Sequence, residues 1–374
     1  MVAQALHARS GTASYRPTRP AAESTTADRW DQFVEATPGG DLVQTTAWAQ
    51  TKRALGFEAC ELVSHRGDEI VAGGQIVIKR FGPLGGIGYI ARGPLVSDGE
   101  PGQIARILDE IERSARAKRV RCLIVQPPAG GGAIAAALAA RGYGENAPAV
   151  APTATIRIDL SQSLDQILAR MATRRRREVR RVERLAVDVK VGGRDDIDSF
   201  HAMHELTARR HGFAALSRTY LCQQWESLHP RGWLQLFLAY HEGRPLAGIW
   251  NTAFGDTVTY RVPGWSGEER NLRLNVACHW RAIQWAKQNG YRYYDFGGID
   301  RGYAERTLAG EPVPEEFLQS PGGFKVLFGG ELVLLPTAHQ FIFNPVARLI
   351  GGLMLSQLPR RKSLRRLAHR MRNG

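Results

Sequence analysis

Two short segments of the sequence place a charged side chain among glycines and aromatic residues, where it could act on a bound substrate. Asp295 lies in YYDFGG, where a strand is followed by two glycines that let a substrate approach the backbone. Lys325 lies in GGFKVLFGG, next to Phe324 and bracketed by glycine pairs. Such a lysine can neutralise a developing oxyanion, and a carboxylate can orient an amine or accept its proton. The competing interpretations are a turn residue for Asp295 and a surface residue for Lys325.

Several familiar catalytic patterns do not occur in the sequence, which contains no Walker loop, GxGxxG, HExxH or GxSxG. His201 and His204 have the spacing of metal ligands, but positions on a helix surface are favoured for both. The four cysteines lie far apart without a CxxC pair, which is typical of reduced thiols in the cytosol. The sequence therefore predicts no metal site and no bound cofactor.

The elements that must position these residues occur twice along the chain. The segment VSHRGDEIVAGGQIVI is followed some 180 residues later by AYHEGRPLAGIWNTA, with similar residues in the same order. The corresponding pairs are His65 and His241, Gly67 and Gly243, and Gly73 and Gly248. Each copy predicts two strands joined by a polar turn, then a helix ending in Ala-Lys and an apolar strand. Duplicated α/β units predict two similar domains with a site where they meet.

We therefore predict an α/β (α+β) protein of two tandem domains. Residues 1–27 would be a disordered leader, because they lack the apolar segment of a secretory signal. The first domain would span 28–150 and be completed by about 331–345, and the second would span 151–330. Residues 346–374 would form a basic helical tail. No segment reaches the about 18 uninterrupted apolar residues of a membrane-spanning helix, so a cytoplasmic protein is predicted.

Two local predictions concern the boundary between the domains. Residues 155–160 are expected to form an edge strand that completes the first unit. The segment SLDQ from Ser163 is a capping box, and it predicts a single long helix that runs through the following arginines to Leu185.

The chain is strongly basic, with a formal net charge of +14, and this charge is concentrated. Eight arginines occur between Arg170 and Arg184, seven Lys or Arg occur between Arg360 and Gly374, and no Asp or Glu follows Glu331. Nucleic acid, an anionic membrane or a phosphorylated substrate would suit this charge. A solvated basic face is the alternative for either run.

The sequence resembles the Fem family of aminoacyltransferases, the enzymes that build the interpeptide bridges of peptidoglycan. The matching segments are TTAWAQTK, ILARMATRRRREVRRVERLAVDV, TARRHGF, YRVPGWSGEERNL, HWRAIQWAKQNGYRYYDFGGI and GGFKVLFGG. Together they span most of residues 28–336, and their combination is specific although each alone is weak. The resemblance implies two GNAT-like domains, which agrees with the internal repeat.

The resemblance also implies roles for individual residues. Lys52 and Arg210 match positions that hold the diphosphate of the nucleotide- or lipid-linked precursor. The substrate site would further include Trp48, Tyr220, Tyr260 and Phe324. Phe324 and Lys325 match a pair placed near the bound acceptor and the tRNA end. Gln126 follows the strand of the first unit where relatives carry a carboxylate, so no general base is assigned there.

The resulting prediction is a tRNA-dependent aminoacyltransferase that acts on the peptide stem of a peptidoglycan precursor. Aminoacyl-tRNA would be the donor, and a UDP-MurNAc-peptide or a lipid-linked muropeptide the acceptor. Lys325 and Asp295 would be catalytic, and Arg175, Arg176 and Arg180 would bind the tRNA. Apolar residues from Phe341 onward and the terminal cations would contact the inner membrane leaflet.

Two other functions remain open from the sequence. An N-acyltransferase that uses acyl-CoA would share the fold, although the glycine-rich cradle for its pyrophosphate is not visible. A non-catalytic basic protein that binds RNA or a membrane surface would explain the charge and the missing carboxylate at Gln126. The retention of Lys325 opposes this last alternative.

Overall fold

A computed structural model describes residues 26–185, 187–312 and 314–343 of the chain. The elements of the first part are α1 (Thr26–Ala36), α2 (Thr46–Ala54), β1 (Glu58–Arg66), β2 (Glu69–Arg80), β3 (Gly86–Ala91), β4 (Leu95–Val96), α3 (Pro101–Ala117), β5 (Val120–Gln126), α4 (Gly132–Ala140) and β6 (Gly144–Ala147). Those that follow are β7 (Ala154–Asp159), α5 (Leu164–Arg170), α6 (Thr173–Arg184), β8 (Asp188–Val191), α7 (Ile197–His211), α8 (Arg218–Leu228), β9 (Leu234–His241), β10 (Arg244–Phe254), β11 (Thr257–Trp265), α9 (Leu274–Gln288), β12 (Tyr293–Gly298), α10 (Arg301–Leu308), α11 (Glu315–Leu318), α12 (Pro321–Val326), β13 (Glu331–Leu334) and β14 (Ala338–Ile342).

Within these residues the strands form two sheets with the same internal arrangement. The first sheet has the order β1-β2-β3-β5-β14-β6, with β4 beside β2, and the second has the order β13-β7-β12-β11-β10-β9-β8. In each sheet three antiparallel strands are followed by a helix, α3 or α9, and by a strand parallel to the third. The duplication and the predicted fold class are confirmed.

Matching glycines show how closely the two halves correspond. A Cβ atom added to Gly73 on β2 would lie 2.4 Å from the ring of Trp30 on α1. A Cβ atom added to Gly248 on β10 would lie 3.0 Å from the ring of Phe200 on α7. Each glycine therefore lets an aromatic ring from the preceding helix pack directly on the second strand of its hairpin.

The predicted edge strand at residues 155–160 is placed differently. It forms β7, which lies inside the second sheet between β12 and β13 rather than at the edge of the first unit. Ile156 and Ile158 are buried in the core of the second sheet, which explains the pairing. The first sheet is extended instead by β14, which pairs with β5 and β6. Of the predicted completing segment 331–345, β13 thus pairs in the second sheet and β14 in the first.

The predicted long helix is divided into α5 and α6. The capping box at Ser163 is present, but the helix ends at Arg170, and Met171 has an extended backbone with ψ near 146°. The amide of Ala172 donates a hydrogen bond to the carbonyl of Leu327 at 3.0 Å. Gly329 packs so tightly on Arg170 that an added Cβ atom would lie 2.1 Å from its carbonyl oxygen. Contacts from the distant α12 region therefore interrupt the helix.

The C-terminal end of the described region is the strand β14, Ala338–Ile342. Phe341 on β14 is buried in the core of the first sheet, with its ring centre 5.0 Å from that of Tyr143. Ile342 pairs with Cys122 on β5. The prediction that Phe341 and Ile342 anchor the protein to a membrane is therefore wrong. The predicted helical tail at residues 346–374 lies outside the described residues, and none of the described helices is suited to span a membrane.

Candidate functional site

A cavity of about 660 Å³, here called the first cavity, opens where the two halves meet. One buried cluster joins Trp48 and Tyr89 from the first half to Tyr220 and Trp250 from the second, so side chains of both halves pack together there. The wall includes Val43, Trp48, Tyr89, Ala91, residues 149–153, His204, Tyr220, Gln224, Tyr260, Arg261, Gly297, Gly298, Ser320 and Lys325. Of the predicted site residues, the structure thus brings Trp48, Tyr220, Tyr260 and Lys325 to one cavity.

Lys325 is held at the edge of this cavity by the backbone of β12. Its Nζ atom donates a hydrogen bond to the carbonyl of Gly298 at 2.8 Å and lies 5.6 Å from the centre of the Tyr260 ring. The preceding Gly297 has a φ of +68°, and an added Cβ atom would lie 2.6 Å from the carbonyl oxygen of Tyr260. Glycine is therefore required for β12 to bring Gly298 to Lys325.

A buried aromatic stack supports Tyr260 from below. The ring of His279 on α9 lies edge-on to Tyr260 at 4.6 Å, and its Nδ1 atom lies 2.8 Å from the hydroxyl of Tyr294. Burial, with the nearby charges of Arg175 and Lys325, holds the pKa of His279 well below its usual range. His279 therefore stays neutral and fixes Tyr260 in place. No motif around His279 in the sequence indicated this role.

Asp295 is buried, and its carboxylate accepts several hydrogen bonds. Its carboxylate accepts from the Thr155 hydroxyl, from Arg157 Nε at 2.8 Å and from the amide of Gly297 at 2.7 Å. It does not line the first cavity. These contacts fix the bend of β12 that presents Gly298 to Lys325, so the geometry favours the turn interpretation over a role as proton acceptor.

His204 was expected on a helix surface, and this expectation is wrong. The side chain is buried, with Nδ1 2.8 Å from the carbonyl oxygen of Pro263. Nε2 accepts a hydrogen bond from the amide of Leu216 at 3.0 Å, so Nδ1 carries the proton that is donated to Pro263. Burial lowers the pKa of His204. The neutral ring therefore joins α7 to two backbone segments of the cavity wall.

Lys52 and Arg210 are not brought together to hold one diphosphate. Lys52 is only 1% exposed and lies behind the cavity wall. Its Nζ atom is 5.3 Å from the ring centre of Trp48, 5.7 Å from Phe57 and 5.4 Å from Tyr220. Arg210 is exposed and lines a different cavity. The prediction that Lys52 and Arg210 hold one diphosphate is therefore corrected. Lys52 instead supports the aromatic wall that would touch a substrate.

The burial of Lys52 predicts a pH-dependent stability. Burial lowers the pKa of Lys52 from 10.5 to about 7, so between these values the unfolded chain binds more protons than the folded one. Stability should therefore rise with pH across this window, and below about pH 7 the full burial penalty is present. We expect Lys52→Met to be more stable than the wild type at pH 7 by a few kcal/mol, on the order expected for a desolvated lysine.

Urea unfolding between pH 6.5 and 9.5 measures this difference, which should shrink as the pH rises. The matched control is the exposed Lys190, which also lies over a tyrosine ring, at 4.9 Å from Tyr240. Lys190→Met should stay within about 0.5 kcal/mol of the wild type throughout. A stability difference for Lys52→Met that does not change with pH would contradict the prediction.

Gln126, where the resemblance to the Fem family leads to the expectation of a carboxylate, holds the segment that joins the two halves. Its Oε1 atom accepts from the amides of Val150 at 3.0 Å and Ala151 at 2.8 Å. Its Nε2 atom donates to the carbonyls of Ala151 at 3.1 Å and Pro336 at 2.9 Å. A carboxylate could not donate these bonds. Gln126 therefore holds residues 149–153 in place, and these residues form part of the cavity wall. Its role is structural and not that of a general base.

A second cavity of about 510 Å³ lies on the other side of α12. Ser320, the N-cap residue of α12, borders both cavities. The wall of the second contains five arginines and two glutamates: Arg174, Arg175, Arg210, Arg270, Arg273, Glu178 and Glu269. The guanidinium carbons of Arg210 and Arg270 lie 4.5 Å and 5.7 Å from the Trp265 ring centre. This excess of positive charge suits a polyanion.

Arg175 differs from the other two predicted tRNA-binding residues because its side chain is buried. Its side chain is 3% exposed, and its guanidinium carbon lies 4.3 Å from the ring centre of Phe324 and 4.5 Å from that of Phe328. It donates to Glu178 at 2.7 Å and to the carbonyl of Phe324 at 3.1 Å. Burial lowers the pKa of Arg175 to about 10. An exposed RNA contact by Arg175 is therefore contradicted.

The other two predicted tRNA-binding residues are accessible. Arg180 is exposed and Arg176 is partly exposed on α6. The buried positions of α6 are Arg175, Val179 and Val182, which follow the spacing of one helical face. That spacing was present in the sequence and could have identified Arg175 as the inward arginine.

Comparison with known proteins agrees with the sequence motifs. Residues 25–133 match the model of the FemAB family, and residues 169–305 match that of an acetyltransferase (GNAT) domain. The lipid II:glycine glycyltransferase of Staphylococcus haemolyticus is 26% identical over 227 residues, which are 58% of this chain and 54% of that protein. The chain spans about half the length of the curated relatives it matches.

Solved structures show the same architecture. FemX has a TM-score of 0.76 at 21% identity and covers 87% of this chain and 98% of its own. A tandem GNAT protein from the clavulanic acid biosynthesis pathway has a TM-score of 0.52 at 13% identity, with 85% and 94% covered. The fold is that of tandem GNAT-like proteins. The FemAB match over residues 25–133 and the glycyltransferase relatives show that the chain is similar to Fem-family proteins.

Proposed function

We propose that the protein is an aminoacyltransferase that transfers an amino acid from aminoacyl-tRNA to an amine on the peptide stem of a peptidoglycan precursor. The names of the glycyltransferase relatives support this substrate class. The observation that carries the proposal is the position of α12 between two cavities. Lys325 borders the first cavity, which has aromatic walls, and Phe324 borders the second, which has basic walls. An acceptor and a polyanionic donor could meet there.

The reaction requires little acid or base chemistry from the protein. The aminoacyl ester is already activated, and the acceptor amine attacks its carbonyl carbon to form a tetrahedral oxyanion. Lys325 Nζ would stabilise that oxyanion. The C–O bond to the ribose then breaks, the ribose oxygen takes a proton, and the amine loses one. An amine with a pKa of about 10.4 is mostly protonated at neutral pH, so the aromatic walls would favour its neutral form by desolvation.

A lipid-linked acceptor would bring the enzyme to the inner face of the cytoplasmic membrane. The chain carries seven cations between Arg360 and Gly374 and no acidic residue there. Each cation close to an anionic surface contributes on the order of 1 kcal/mol. Peripheral contact of a cytoplasmic protein through this segment is part of the proposal.

Product masses distinguish the proposed reaction from the acyl-CoA alternative. The purified protein is incubated with a muropeptide acceptor and either charged tRNA or acetyl-CoA. We expect the acceptor to gain the mass of an amino acid with charged tRNA and to remain unchanged with acetyl-CoA. Acetylation of the acceptor without aminoacylation would favour the acyl-CoA alternative, and the absence of both products would refute transfer to this acceptor.

The second cavity predicts a salt-dependent RNA affinity. Replacing both Arg210 and Arg270 with glutamine removes the two guanidiniums beside Trp265. We expect tRNA affinity to fall at least about tenfold. The plot of log affinity against log salt should become less steep by about 1.5, because the two lost phosphate contacts no longer release counterions. Filter binding at several salt concentrations measures both quantities.

The control variant replaces two other exposed arginines, Arg194 and Arg218, which pair with Glu226 and Asp198. This double variant loses the same formal charge outside the second cavity, so its affinity should stay close to that of the wild type. Equal losses of tRNA affinity in the two double variants would show that binding depends only on the net charge of the protein. That result would contradict the assignment of the second cavity.

A further inference from the structure

An irregularity in β11 turns an arginine toward the first cavity. In the pairing of β10 with β11, Trp250 is opposite Val262 and Asn251 is opposite Tyr260, so Arg261 has no partner on β10. Such an inserted residue is a β-bulge, and bulges redirect side chains. Neighbouring residues on a regular strand point to opposite faces, yet Tyr260 and Arg261 both line the cavity.

The side chain of Arg261 is positioned by contacts from both halves of the protein. Its Nε atom donates to the Thr252 hydroxyl at 3.0 Å, and its Nη2 atom lies 3.7 Å from a carboxylate oxygen of Asp41. Its guanidinium carbon lies 6.0 Å from the centre of the Trp48 ring. The side chain remains 23% exposed, so a guanidinium with a fixed orientation is presented to the cavity.

The charge around Arg261 is not balanced. The other oxygen of Asp41 lies 3.9 Å from Nε of Arg92, so a single carboxylate serves two guanidiniums. Arg92 is 5% exposed, and its Nη1 atom has no hydrogen-bond acceptor among the described residues. The nearby Arg157 and Asp295 neutralise each other at 2.8 Å. A net charge of about +1 therefore remains on the group of Arg261, Asp41 and Arg92. A bound anion would offset this charge.

The size of this excess indicates the kind of anion. At this part of the wall one net positive charge matches a monoanion, whereas a diphosphate would need a further cation. A guanidinium also presents parallel N–H groups that match the two oxygens of a carboxylate. The neighbouring aromatic rings of Trp48 and Tyr89 offer apolar contacts to the adjoining side chains of a peptide.

We propose that Arg261, supported by Asp41 and Arg92, binds the C-terminal carboxylate of the acceptor's peptide stem. The inference rests on the proposed function in that the acceptor is taken to be a peptide. It would make Arg261 a specificity-determining residue that fixes which end of the stem enters the cavity, while the acceptor amine is left to reach Lys325.

Calorimetric titration of the full chain with two synthetic stem peptides tests this assignment. One peptide has its C-terminal carboxylate as the sole carboxylate, and the other carries a C-terminal amide instead. We expect the wild type to bind the acid at least about tenfold more tightly than the amide. Arg261→Gln should bind both peptides with the same low affinity, and Arg218→Gln should behave as the wild type. A circular dichroism melt confirms that each variant is folded.

Three results would overturn the assignment. The wild type could bind the acid and the amide equally, or Arg261→Gln could keep the wild-type preference for the acid. UDP could also lose affinity for Arg261→Gln while the peptide preference is unaffected, in which case the arginine holds a phosphate. Aminoacyl transfer to the acid peptide is measured separately. Transfer without a preference for the acid rejects this subsite alone, whereas no peptide binding and no transfer reject the proposed function as well.

Discussion

Replacing Lys325 with methionine should lower kcat by about a hundredfold or more while the melting temperature changes little. Methionine keeps most of the length of the side chain and removes the charge that would face the oxyanion at the edge of the first cavity. The bond from Nζ to the carbonyl of Gly298 is exposed, and the loss of such a hydrogen bond costs about 1 kcal/mol. A hundredfold loss in rate corresponds to about 2.7 kcal/mol in the transition state.

The chain contains a close control for this substitution. Lys287 on α9 also donates from Nζ to a backbone carbonyl at 2.8 Å, that of Leu160, but it does not line the first cavity. Lys287→Met should therefore lose a similar hydrogen bond and keep kcat. Initial rates at saturating donor and acceptor, together with thermal melts, separate the two effects. Equal loss of rate in both variants, or a Lys325 variant that loses only stability, would assign Lys325 to structure.

Features that depend on neighbouring residues could be predicted from the sequence. The duplicated hairpins, the Ser163 capping box and the helix that starts after Thr45 all follow from local patterns of turn, cap and apolar residues. These patterns also gave the two-domain fold, because the same pattern occurs twice. The break between α5 and α6 could not be seen in this way, since Leu327 and Gly329 lie more than 150 residues further along the chain.

The site shows the same division between local and distant information. The aromatic residues and Lys325 could be located by motif, but their surroundings depend on distant contacts. Lys52 looks like an exposed cation on α2 until Tyr220 of α8 packs over it. Gln126 looks like a lost carboxylate until its bonds to Val150 and Pro336 are known. The orientation of Arg261 depends on strand pairing, which the sequence does not reveal.

The same helix, α12, connects the two cavities to the core. Phe324 packs on His279 and on Arg175, with ring centres 5.5 Å apart for the first pair. Lys325, the next residue, reaches the first cavity. A shift of Phe324 would therefore displace Lys325. This makes Arg175, which holds Phe324 by its ring and its carbonyl, a support for α12 rather than a surface contact.

Arg175→Ala should destabilise the protein by about 3 kcal/mol, because it removes one partner of a buried ion pair and a cation packed between two aromatic rings. Glu178 would keep its weaker contacts to Arg174 and Arg273, each at 3.4 Å, which limits the loss. The exposed Arg180 on the same helix is the control, and Arg180→Ala should stay within about 0.5 kcal/mol of the wild type. Urea unfolding measures both variants, and tRNA binding is measured on the folded fraction. If Arg175→Ala keeps the wild-type stability but loses tRNA affinity, then Arg175 contacts the RNA and its burial between Phe324 and Phe328 does not persist in the complex.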